Sequence, residues 1–129
     1  DRFFRDSIHR PNLRLIALIH DTFKYKKAQS GLSKKHLSQG YFARKFAKRY
    51  INDCAVLDVI EFHDDAYKAS LLLTRDGNRQ AAEKQAKELI ARLKSHITLF
   101  LQFYYCDNRT GDKSIIHYEW FDEIVNTKF

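Results

Sequence analysis

The chain predicts an all-helical fold built as a single domain, on three observations. Only four Gly and one Pro occur in 129 residues, too few turn formers for an all-β protein. Apolar side chains recur every three or four residues through most of the chain, the period of a helix with one buried face, and strand-like alternation is weak throughout. With 129 residues and 44% hydrophobic content, the core is large enough to fold without staples.

Taken in order, Asp1 to Ile8 read as the tail of a helix. His9-Arg10-Pro11-Asn12 breaks it, with Pro11 as the stop and Asn12 as the cap of the next helix. That second helix runs from Leu13 to about Lys24. Tyr25 to Ser33 is polar, contains Ser30-Gly31 and reads as a loop. A third helix is expected from Ser33 or Lys34 to Tyr50. Its apolar residues, Leu37, Tyr41, Phe42, Phe46 and Tyr50, fall at helical spacing and are expected in the core.

Asn52-Asp53 forms a turn and cap, opening a helix from Cys54 to Thr74 with Val56, Val59, Ile60, His63 and Tyr67 as its stripe. Arg75-Asp76-Gly77-Asn78 is the clearest turn. After it a long helix is expected over Arg79 to Tyr105, with Ala82, Ala86, Leu89, Leu93, Ile97 and Phe100 on one face. Asp107 to Ser114 reads as a polar loop and Ile115 to Val125 as a closing helix. The aromatic tail Tyr118, Trp120, Phe121 and Phe129 suits either core or interface.

There are 23 basic and 16 acidic side chains, a net charge of +7 with a pI near 9.5. That balance points to an anionic partner without choosing among nucleotide, nucleic acid and membrane surface. The apolar runs are too short to span a bilayer and no signal peptide is visible, so a cytoplasmic protein without a membrane role is expected. Cys54 and Cys106 are far apart, show no metal-type spacing and are expected as reduced thiols.

Ligand-capable side chains sit at or beside the core-facing stripes. The run Leu13 to Lys24, LRLIALIHDTFK, delivers adjacent His20 and Asp21 at the end of an apolar helix, a pair costly to bury without purpose. His36 opens the third helix. His63 interrupts an apolar stripe and is followed by Asp64 and Asp65. Asp107 follows FLQFYYC, and on one long helix positions 89, 93, 100, 103 and 107 share a face, which would point it inward. Imidazole with carboxylate suits Mn, Fe, Zn, Co or Ni, and Mg alone less well. Residues drawn from different helices of a bundle are an established way to hold metal. Each has a plainer alternative: a lone histidine on an apolar stripe is usually a hydrogen-bonded core residue, and an Asp after a helix commonly starts a turn.

The ordered set resembles the HD-domain superfamily of metal-dependent phosphohydrolases. The resemblance rests on His20 and Asp21 in ALIHDTFK, His36 in KKHLSQGYFA, His63 in VLDVIEFHDDAYKA and Asp107 in FYYCDNRTGDK, and spans Leu13 to Asp107. Lys24 matches the lysine that commonly follows the doublet. Phe23 stands where the family usually has glycine, and the family's first metal-binding histidine has no counterpart, because His9 lies too close and beyond Pro11. The chain contains no Met and begins within an apparent helix, so that ligand is expected upstream of Asp1.

The resemblance implies a helical bundle of HD type and one or two divalent ions. His20, Asp21 and Asp107 would be ligands of the first, with Asp21 bridging to a second held by His36 and His63. Alternatively His36 and His63 contact phosphate oxygens or act as general acid. Asp64 would position the attacking water or hydrogen-bond to one of the metal ligands. Lys24, Lys27 and Lys35 would bind substrate phosphate, within a segment between Asp21 and Asp53 that contains no acidic residue. Within that segment Arg44, Lys45, Lys48 and Arg49 also suit an ordinary solvated helix face, and the spacing of its aromatics says core before base-stacking. The expected function is hydrolysis of a nucleotide or other small phosphorylated compound. Two alternatives stand beside it: a degenerate HD scaffold that binds a nucleotide or serves as an accessory domain, and a nucleic-acid-binding helical module using the basic segment. Oligomeric state stays open.

Overall fold

Residues 10–19, 39–110 and 114–128 are described in a computed structural model of the chain. Every regular element among them is helical, and no strand occurs among the described residues. The helices fall into two compact units, residues 1–63 and 64–129.

In the first unit, helix α1 spans Arg10–Ile19. It starts before Pro11 rather than after it, contrary to the expectation from sequence. The physical reason is position: in the first turn the N–H that proline lacks has no helical partner to lose. Leu13 and Ile16, three residues apart, are its buried side chains.

Helix α2 spans Gln39–Ala47, and helix α3 spans Cys54–Phe62. Both α1 and α2 pack on α3. The buried face of α2 corrects the sequence expectation. Ala43 and Ala47 are buried, as is Gly40, whereas Phe46 and Tyr50 are exposed. A Cβ built on Gly40 would collide with the Glu61 carbonyl oxygen and lie 2.9 Å from its carbon. The two backbones thus approach so closely that only the small-residue face of α2 fits against α3. Arg44 ties them further: its Nη1 donates to Asp58 Oδ1 at 2.7 Å and to Glu61 Oε1 at 3.1 Å.

Asp53 caps α3 as expected, its Oδ1 accepting from Ala55 N at 2.9 Å. The helix expected to run from Cys54 to Thr74 is instead broken. α3 ends at Phe62 with His63 as its C-cap, and helix α4, Asp65–Thr74, begins anew after Asp64. His63 supplies a reason: its ring takes the Ile60 carbonyl, which residue 64 would use in a continuous helix.

In the second unit, α4 leads through the expected turn at Arg75 to Asn78. Gly77 adopts φ +66° there, and Asn78 Oδ1 caps helix α5, Arg79–Leu93, by accepting from Ala81 N at 3.0 Å. The long helix expected to reach Tyr105 stops at Leu93. Lys94 takes a positive φ of 50° and a short 3-10 turn, Lys94–His96, leads into helix α6, Ile97–Thr110. An unbroken helix over Arg79 to Tyr105 would run roughly 40 Å. The break instead lets α5 and α6 both pack on helix α7, Ile115–Lys128. Phe100, Tyr104 and Phe121 form the aromatic centre of this unit, with ring centroids 5.7–6.0 Å apart. Phe121 is therefore core, while Tyr118 packs edge-on against Tyr104 and Tyr105.

Candidate functional site

His20, Asp21, Lys24, Lys27, Lys35 and His36 lie outside the described residues. His63, Asp64 and Asp107 lie within them.

His63 ends α3 and is 1% exposed. Its Nδ1 lies 2.8 Å from the Ile60 carbonyl oxygen. A carbonyl only accepts, so Nδ1 carries the hydrogen, and in the neutral ring Nε2 holds the lone pair. A fixed Nδ1–H···O=C bond of this kind sets the orientation of the ring, as it does for histidines that ligate through Nε2.

Asp107 does not begin a loop. It lies inside α6, half-buried, and the break at Lys94 removes positions 89 and 93 from its helix. Phe100 and Phe103 remain on its face, seven and four residues before it, and both are buried. The following Asn108 is buried too, donating through Nδ2 to the Tyr104 carbonyl at 2.8 Å, so it continues the helix rather than forming a turn.

Asp64 precedes α4 without capping it through its side chain. It and Asp107 act on one buried group, the hydroxyl of Tyr104. Burial pushes that phenol well above its ordinary value, the Asn108 amide opposes the shift, and Asp107, Tyr67 and Asp64 add to it. The Asn108 amide lies beside the hydroxyl without completing a hydrogen bond, since Tyr104 Oη and Asn108 Oδ1 are both buried without a partner of bonding geometry. Tyr104 was missed as a candidate because, four residues after Phe100, it reads simply as core.

Asp65 belongs to different surroundings. It lines a groove of about 220 Å³ between α4 and α5 with Lys68, Glu88 and Arg92. Two acids and two bases there leave no net attraction for an anion.

His117 is buried on α7. Its Nδ1 meets Ser70 Oγ of α4, and its ring packs edge-on against Tyr67 at 4.9 Å. Neither cysteine is in a disulfide; Cys54 is exposed and Cys106 half-buried, where burial raises its thiol pKa.

Of the basic segment, Arg44 is committed to Asp58 and Glu61. Burial works against its charge, but the Asp58 hydrogen bond and the two carboxylates leave its pKa raised. Lys45, Lys48 and Arg49 are exposed.

Among the described residues, no three His, Cys, Asp or Glu side chains form a group that could hold a metal ion. Three of the five candidate ligands, His20, Asp21 and His36, lie outside those residues. No described helix is long and apolar enough to cross a membrane. No family model matches the chain, and neither the curated proteins nor the solved structures yield a match.

Proposed function

We propose that the chain is an HD-type metal-dependent phosphohydrolase acting on a nucleotide or another small phosphorylated compound. The observation that carries the reading is His63: buried, with Nδ1 held by the Ile60 carbonyl, the bond that orients histidines which ligate through Nε2. The order His20-Asp21, His36, His63, Asp107 and the all-helical scaffold support it.

In this reading His20, Asp21 and Asp107 would hold one divalent ion, and His36 and His63 would hold a second or contact phosphate oxygens. The ion, when bound, supplies Lewis acidity, lowering the pKa of water and offsetting charge on a phosphoryl oxygen. Lys24, Lys27 and Lys35 bind the substrate's phosphates, and Asp64 orients the water by accepting its hydrogen bond. Alternatively, with no second ion on these histidines, the protonated form of His36 or His63 would give its proton to the leaving oxygen.

The test uses the full-length protein with added Mn against phosphomonoesters, nucleoside di- and triphosphates, cyclic dinucleotides and guanosine polyphosphates. Turnover of at least one class, abolished by Asp21→Ala, is the expected result. Hydrolysis of none would overturn the reading; nucleotide binding that persists without turnover would favour the degenerate, nucleotide-binding alternative.

A further inference from the structure

The last turn of α2 and the turn that follows it, Lys45 to Tyr50, carry two exposed rings and three exposed cations. Tyr50 is 74% and Phe46 39% exposed, and their ring centroids lie 5.5 Å apart. Lys45 and Arg49 are one turn apart in an adjoining row, with Lys48 alongside, and all three are exposed. Backbone bonds from Lys48 N to Arg44 O and from Tyr50 N to Ala47 O, both 2.9 Å, carry the helical path through this turn.

Packing explains how these side chains reach the surface. The close contact at Gly40 turns the Gly40, Ala43 and Ala47 stripe onto α3, which leaves Phe46 and Tyr50 outside that contact and exposed. Arg44 engages Asp58 and Glu61 and offsets one of their two negative charges, and residues 45 to 50 themselves contain no acid. An aromatic ring as exposed as Tyr50 contributes little to the fold, and stacking on a ligand would bury it.

We propose that this face, Lys45 to Tyr50, binds single-stranded nucleic acid, with Phe46 and Tyr50 stacking on unpaired bases and Lys45, Lys48 and Arg49 meeting phosphates. Exposed rings beside cations are the combination that tracks a single strand with little regard to sequence. A duplex keeps its bases stacked and offers these rings nothing to stack on. An anionic membrane surface fits less well, because an interfacial helix needs a broad apolar face. On α2 the small apolar stripe is turned onto α3, and no aliphatic side chain larger than alanine lies on the exposed face. Stacking and phosphate contacts do not read the sugar, so the chemistry serves ribose and deoxyribose strands alike.

The test is fluorescence anisotropy of a labelled oligo(dT) of about 15 nucleotides with the full-length protein, in EDTA and at about 50 mM salt. EDTA makes the result independent of the phosphohydrolase reading. A same-length duplex and phosphatidylserine–phosphatidylcholine vesicles are run alongside. The single strand is expected to bind most tightly. Tyr50→Ala should weaken it at least about fivefold while Tyr50→Phe retains it, and circular dichroism should show both variants folded, as expected at so exposed a position. Replacing Lys45, Lys48 and Arg49 together by Gln should reduce the salt dependence by a slope of about 2. No binding of the single strand, equal or tighter binding of duplex or vesicles, or Tyr50→Ala binding like the wild type would each overturn the proposal.

Discussion

A tyrosine hydroxyl buried without a partner is destabilising, because it has left water and gained no hydrogen bond in return. Tyr104 is in that position, so Tyr104→Phe should leave stability unchanged or raise it by about 1–2 kcal/mol in denaturant unfolding near neutral pH. The pH dependence has a definite sign. Burial raises the phenol above its ordinary 10.0, so the fold accepts the neutral form. The stability associated with that preference is intact below pH 10.0 and lost as pH rises through the folded value. Wild-type stability should therefore fall above pH 10.0 more steeply than that of Tyr104→Phe. Coincident alkaline slopes would contradict this account. His63 was legible as a special position because a histidine interrupted an apolar stripe. Its tautomer was not, because that depends on the Ile60 carbonyl one turn away.

At the scale of elements, the approach of α2 to α3 makes the sharpest prediction. Gly40→Ala gains helix propensity of about 1 kcal/mol. Against that, the new Cβ meets the Glu61 backbone rather than a flexible side chain, so the helices must separate. Net destabilisation of about 1–3 kcal/mol is expected, read as a lowered thermal midpoint. An unchanged or raised midpoint would mean the helices do not approach this closely. The same contact explains a misreading. Gly40, Ala43 and Ala47 are as periodic as Tyr41, Phe42, Phe46 and Tyr50, and period alone does not say which side is buried. Asp53, Gly77 and Asn78 were readable because caps and turns are local chemistry. The breaks at Asp64 and Lys94 lack Gly or Pro and follow from a side-chain hydrogen bond and from packing on α7, which local patterns do not encode.

At the scale of the whole molecule, helical content was readable from scarce Gly and Pro and from the apolar period. The positive charge was readable too, but its division was not: Arg44 is drawn into an ion-pair network while Lys45, Lys48 and Arg49 stay exposed. The candidate ligands His63 and Asp107 occupy positions different from those expected, a helix C-cap and a helix interior, and the remaining candidate ligands lie outside the described residues. The proposed function therefore turns on metal binding by the set as a whole. The most direct measurement is the metal content of the full-length protein, stripped with EDTA, reloaded with Mn and dialysed, beside Asp21→Ala treated identically. Retention of one or two ions per chain, lost in Asp21→Ala, is the predicted result. A protein that retains no metal, or an Asp21→Ala variant that retains as much as the wild type, would contradict it.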